Sequence, residues 1–229
     1  MKIPLSDRLL ACCSFVKRGD RVADIGCDHG YLGIYLLTKG IAGSVIESDV
    51  AEGPLQSAMR NAVKFGTKSK MSFHLSDGAR NIPRDFDTMV CAGMGADTMI
   101  HILESAPWLK DEKYTLILQC QSKTPMLRRY LSDTGRTILR ESVLRDGRFL
   151  YTIMEVGYDP DAPRLSDAQC HFPPALLNNP TKDVPAYHKW VVGGLQIAVT
   201  HQQDPQKEAV LRYLEDLAAE YPFLKEEVK

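Results

Sequence analysis

Acids and glycines recur where short apolar runs give way to helical patterns. Asp24 lies in "RVADI" (21–25), which leads into Gly26, Asp28, His29 and Gly30. Asp49 closes "GSVIESD" (43–49), Asp77 and Gly78 follow "KMSFHL" (70–75), and "FDTMVCA" (86–92) runs into "AGMG" (92–95). Glycine lets a backbone approach a ligand closely, and a helix start offers free N–H groups. An acid about 20–25 residues after a glycine loop suits paired hydrogen bonds to ribose hydroxyls. Asp49 fits that role, with Glu47, two residues earlier on the same strand face, as its competitor. A carboxylate plus a backbone N–H, as in Asp77 and Gly78, can read the amine and ring nitrogen of adenine.

The charge of the first loop narrows the ligand. A dinucleotide site wants G-x-G-x-x-G and a P-loop wants G-K-[ST]; neither is present. Asp24 and Asp28 would repel a pyrophosphate and attract a cation. S-adenosylmethionine is a nucleoside with a sulfonium and an ammonium and no phosphate, and it meets both conditions. The expected cofactor set is therefore Asp24, Gly26, Asp28, Asp49, Asp77, Gly78, Gly93 and Met94.

These residues need a scaffold that gathers strand ends. Five apolar runs, the last being "YTLILQ" (114–119), alternate with helical patterns near 30–39, 54–65, 95–106 and 124–134. Such alternation predicts a parallel sheet covered by helices on both faces. "TILRESVL" (137–144) and "FLYTIMEVGY" (149–158) flank "RDGR" and predict an antiparallel hairpin. The expectation is a mixed seven-stranded α/β sheet over residues 1–158. Six prolines between 158 and 185 predict a linker over 159–185. A helical hairpin over 186–229 follows: Val210, Leu214, Leu217, Tyr221 and Leu224 recur at 4-3-4-3 spacing, a coiled-coil-like seam. "QQDPQ" (202–206) separates its two helices, with Asp204 as N-cap.

Composition sets the outer limits. The chain has 229 residues, 44% hydrophobic and 25% charged, with a net charge of −1. Those values are ordinary for a globular protein and exclude a globally basic nucleic-acid binder. No apolar run approaches the ~20 residues of a membrane span. Asp7 and Arg8 come too early for a signal peptide, so a cytoplasmic location is expected. The six cysteines include no C-x-x-C pair and read as small buried thiols, with no metal site expected. Residues 121–150 hold seven basic residues against three acidic ones, a net +4. A basic face of this kind can meet nucleic-acid phosphates, and Arg128 and Arg129 are its candidates; a solvated helix face is the alternative.

"VADIGCDHGYLGIYL", "EGPLQSA" (52–58), "DGA" (77–79), "AGMG" and "LILQ" (116–119) occur in that order. Together they resemble the bacterial tRNA adenine-N1 methyltransferases that act on the D-arm, the TrmK family, over roughly residues 5–158. Ala96 departs from the glycine often found after "AGMG". The resemblance implies a class I, Rossmann-like methyltransferase fold with a helical C-terminal domain. It also implies S-adenosylmethionine as cofactor, tRNA as partner and N1 of adenine 22 as methyl acceptor, with no obligate protein partner evident. Asp28 is then the candidate for stabilising the cationic product, His29 for a substrate or structural contact, and Tyr31 for an aromatic wall beside the base. A small-metabolite methyltransferase and a non-catalytic RNA-binding protein are the competing readings. The basic stretch and helical appendage count against the first, the intact acid set against the second.

Overall fold

The computed structural model describes residues 2–178, 180–201 and 204–225. Seven strands form one sheet in the order β3-β2-β1-β4-β5-β7-β6. In chain order these are β1 (Arg21–Ile25), β2 (Ser44–Asp49), β3 (Met71–Leu75), β4 (Thr88–Met94), β5 (Thr115–Cys120), β6 (Arg136–Asp146) and β7 (Phe149–Tyr158). The first five run parallel; β7 is antiparallel to β5 and to β6. The fold is the seven-stranded, Rossmann-like methyltransferase architecture. Strands covered on both faces become near-continuous apolar runs, as in β1, where Val22, Ala23 and Ile25 are buried.

The helices are α1 (Asp7–Cys13), α2 (Tyr31–Thr38), α3 (Glu52–Lys64), α4 (Ala96–Ser105) and α5 (Thr124–Asp133), followed by α6 (Asp167–His171), α7 (Pro174–Asn178), α8 (Val184–His201) and α9 (Pro205–Glu220). One apolar layer, with Met89, Leu103 and Leu116, fills one face of the sheet; another, with Ile34, Val90 and Ile117, fills the other. Strand order reverses between β1 and β4, and open sheets of this type place ligands in the crevice at that point.

The hairpin β6–β7 forms as its sequence predicts, with Gly147 at φ 60° in the turn. The N-terminal helix α1 is additional. Ser6 caps it weakly, its Oγ accepting from Leu9 N at 3.4 Å, and its buried face is made by Cys12 and Cys13. All six cysteines are buried.

The expected linker is built differently. Residues 159–185 contain α6 and α7, and Phe172 and Leu176 are fully buried. Ser166 closes a capping box with Gln169 at the head of α6. Pro174 and Pro185 sit in first turns, where the missing N–H costs nothing, so these prolines start helices instead of preventing them. The seam of α9 packs Val210, Leu214 and Leu217 together with Phe172, Leu195 and Val143 of β6. Asp204 caps α9 by accepting from Gln206 N and Lys207 N. Residues 202–203 of the expected separator, and 226–229 at the chain end, lie outside the described residues. No described helix is long and apolar enough to cross a membrane.

Candidate active site

The carboxyl ends of β1 and β4 open onto a cavity of about 320 Å³ lined by Asp24, Gly26, Asp28, His29, Tyr31, Gly93 and Met94. Seven of the residues singled out in the sequence thus meet around one space. The chain turns sharply to bring them there. Gly26 has φ 73°, a left-handed conformation that favours glycine, and a Cβ on it would press on Met94 Cε. Asp28 itself adopts φ 50°, a left-handed conformation that costs free energy in an L residue and that Asp tolerates better than most.

Asp49 holds that turn. Its carboxylate accepts from Asp28 N at 3.2 Å and from Ala51 N at 2.9 Å, joining the end of β2 to the first loop. The Asp28 side chain is 71% exposed at the mouth, with His29 Nε2 at 3.6 Å from its Oδ1. Asn61 Nδ2 donates to the His29 carbonyl at 3.0 Å, which fixes the backbone there. Tyr31 stands 5.8 Å from the His29 ring and edge-on to Phe65. Asp77 lies outside the cavity wall, bridging Arg80 at 3.1 Å and His101 at 3.3 Å, with Gly78 beside it at φ 61°.

Asp24 and Glu47 sit at the base. They are register partners on β1 and β2, nearly or wholly buried. Burial pushes the Asp24 carboxyl up to about 7, and the charge of nearby Asp49 adds to the rise. Burial and the neighbouring Asp24 push Glu47 well above the carboxylate range. Glu47 has no exposed surface and does not line the cavity, so it offers no oxygen there in place of Asp49. It lies under α2, where a Cβ on Gly33 would strike its Oε1.

Sequence reasoning missed Arg8, Gln119 and Gln121. Arg8 reaches from α1, and its Nη1 donates to Gln119 Oε1 at 2.5 Å. The same oxygen accepts from Gly93 N at 3.0 Å, which pins the "AGMG" loop. Gln119 is wholly buried, a polar residue in an apolar strand, and that was the available signal.

Arg128 and Arg129 do not form a phosphate-binding face. Arg128 has no exposed surface: its guanidinium bonds Glu141 at 2.6 and 3.2 Å, the carbonyls of Cys170 and His171, and the Tyr187 hydroxyl. Arg129 is spent on Asp167 and the Leu165 carbonyl. Others of the basic stretch are paired too, Lys123 with Asp97, Arg140 with Glu155 and Arg145 with Asp183. Of these, Arg128, Arg129 and Arg145 tie the C-terminal segments onto the sheet domain.

The cavity fits S-adenosylmethionine by its donor set. The buried Asp24 at its base and the exposed Asp28 at its mouth suit a positive charge, the buried Asp49 beside it at the end of β2 suits a ribose, and a phosphate would meet Asp24 and Asp28. Among the described residues no His, Cys, Asp and Glu group is arranged to hold a metal ion.

Comparison with known proteins agrees. Residues 5–154 match the model of a methyltransferase domain family. Over 163 residues the chain is 31% identical to the tRNA (adenine(22)-N(1))-methyltransferase of Bacillus subtilis, covering 70% of this chain and 68% of that one. The chain belongs to the TrmK family. The crystal structure of B. subtilis TrmK superposes with a TM-score of 0.79 at 26% identity, over the full length of both chains. A Streptococcus pneumoniae protein solved with S-adenosyl-L-methionine superposes with a TM-score of 0.80 at 30% identity, over 93% of this chain and 98% of that one. As a TrmK-family enzyme, the protein uses S-adenosylmethionine.

Proposed function

We propose that this protein transfers a methyl group from S-adenosylmethionine to N1 of an adenine in tRNA, adenine 22 of the D-arm. The observation that carries the reading is the acidic cavity at the β1–β4 crevice, where Asp24, Asp28 and Asp49 surround the strand ends of a TrmK-family fold. When bound, the cofactor supplies a sulfonium-activated methyl carbon for in-line displacement.

The residues have little proton chemistry to do. Adenine N1 attacks through an in-plane lone pair and loses no proton, so positioning should supply most of the rate. Positive charge passes to the purine ring, and the exposed Asp28 carboxylate at the cavity mouth is placed to stabilise it. Tyr31 offers a flat wall beside the base. His29 closes the other side, within reach of Asp28. Asp49 orders the ribose end while holding the Asp28 backbone in its left-handed turn. Because N1 lies on the Watson–Crick edge, the nucleotide must be unpaired or turned out of its helix to reach the cavity.

The test is incubation with labelled cofactor and bulk tRNA that lacks this modification, followed by nucleoside analysis. Label in 1-methyladenosine is the expected result. Label in another nucleoside, or none in RNA while a small metabolite is labelled, rejects the reading.

A further inference from the structure

A second cavity, of about 370 Å³, lies between the loop after β5 and the inner side of α8. Gln121 lines both this cavity and the cofactor cavity. The walls of the second one are aromatic. Tyr151 comes from β7, and Tyr187 and Trp190 from α8 with ring centroids 5.7 Å apart. Tyr187 is locked, buried with its hydroxyl accepting from Arg128. Trp190 is 64% exposed, a large apolar plate in solvent.

Two features are costly unless something binds there. Thr152, on the cavity wall, is 2% exposed, and its Oγ1 is enclosed behind that wall with no hydrogen-bond partner among the protein's groups. A buried hydroxyl in that state has lost water and gained nothing. Lys123, at the edge, holds φ 57°, strain of a kind that gathers at ligand sites.

We propose that this cavity receives a second unstacked nucleobase of the tRNA, a neighbour of the adenine being methylated, stacked on Trp190 and hydrogen-bonded by Thr152. The proposal rests on the reading of tRNA as substrate. The adenine under attack must stand at the methyl donor, and Asp24, Gly26 and Met94 line the first cavity only. The second space holds one planar base with part of its sugar and is too small for a helix. Every base has a π-face, so an aromatic plate binds it whatever its sequence. The cavity presents an aromatic plate to a base, and the Lys123 ammonium at its edge is paired with Asp97 at 2.9 Å. Turning one nucleotide out breaks its neighbour's stacking, so a second free base lies within one step along the strand, consistent with two cavities sharing Gln121.

The test uses the full chain and tRNA. Trp190→Ala, at an exposed position, is expected to raise KM for tRNA about five- to tenfold, the lower part of the range for base stacking. kcat, cofactor Kd and the salt dependence of tRNA binding should not move, since no phosphate contact is lost. Thr152→Val should raise the same KM and Thr152→Ser should restore it, which a purely structural role for Thr152 would not require. Tryptophan emission should be quenched by a short unpaired oligonucleotide and much less by the duplex of the same sequence, with the quenching absent in Trp190→Phe. An unchanged KM for Trp190→Ala, or equal quenching by duplex, overturns the proposal. Quenching that persists in a protein forming no 1-methyladenosine would instead reject the substrate reading and leave this cavity a base-binding site.

Discussion

Asp24 and Glu47 face each other across two parallel strands, both buried beneath the cofactor cavity. Neither Glu47 oxygen receives a hydrogen bond from an amide, hydroxyl or amine, leaving the Asp24 carboxyl and the Cys27 thiol beside it. Two carboxylates so close and so dry cannot both ionise, and Glu47, the more deeply buried, keeps the proton. With that proton on Glu47, Asp24 is left to carry the charge that a cationic cofactor needs.

Cofactor binding should therefore depend on pH. Burial pushes the Asp24 carboxyl up to about 7, and the groups facing it are Glu47, Cys27, Asp49, Asp28 and, across the cavity, Arg8. Affinity for S-adenosylmethionine should rise as pH passes upward through that value, and be about tenfold weaker at pH 6 than on the plateau. Stability runs the other way. The folded state holds a proton that an unfolded Asp releases near 3.8, so the contribution is greatest at low pH and is lost as pH rises to about 7. Titration calorimetry between pH 5.5 and about 8.5, more than one unit above that value, checks the first claim, and Asp24→Asn should flatten the profile.

Asp49→Ala should weaken cofactor binding by about 1.5–3 kcal/mol, the range for hydrogen bonds to a charged group. The same carboxylate holds Asp28 N and Ala51 N. Catalysis should thus fall further than affinity, because the Asp28 turn loosens. Calorimetry beside single-turnover methylation separates the two effects; unchanged affinity removes Asp49 from the ribose.

Strand ends were legible because a parallel sheet fixes where they point: apolar runs locate the strands, and the acids follow. Asp24, Gly26, Asp28, His29, Tyr31, Gly93 and Met94 meet for that reason. Burial was harder to read. Arg128 and Glu47 look like surface charges in a linear sequence, and only packing of elements far apart in the chain reveals that each is enclosed. Proline misled in 159–185, since its effect depends on whether it falls in a first helical turn or further in. Arg8 was hidden because α1 is a short helix with no long periodicity.

Arg128→Met should destabilise the protein by about 3–5 kcal/mol, since Glu141 would remain as a buried charge without its partner. The joint replacement of Arg128 and Glu141 by apolar residues of similar volume should recover much of that loss. Neither change should alter the salt dependence of tRNA binding, because the guanidinium never meets solvent. Denaturant melts with filter binding across a salt series test both statements; a flattened slope in Arg128→Met would put this arginine back on the RNA.

Truncation after residue 160 separates a detachable appendage from a structural part. By its pattern alone, the sequence places the sheet and every expected cofactor residue before Tyr158, and the helical hairpin over 186–229 reads as a separable unit. The packing predicts otherwise. Residues beyond 160 supply three of the groups around the Arg128 guanidinium, the carbonyls of Cys170 and His171 and the hydroxyl of Tyr187. They also cover Val143 of β6 with Phe172 and Leu176. Cutting them away leaves a buried ion pair half solvated and opens an apolar face on the sheet edge, and exposed faces of that kind drive association. The truncated chain should melt well below the full one or aggregate, and bind S-adenosylmethionine weakly. Arg128→Met with Glu141→Leu in the truncated chain should recover part of the lost thermal stability. A truncated chain that melts cooperatively at the full-length temperature and keeps full cofactor affinity would show that the helices beyond 160 are separable from the catalytic sheet.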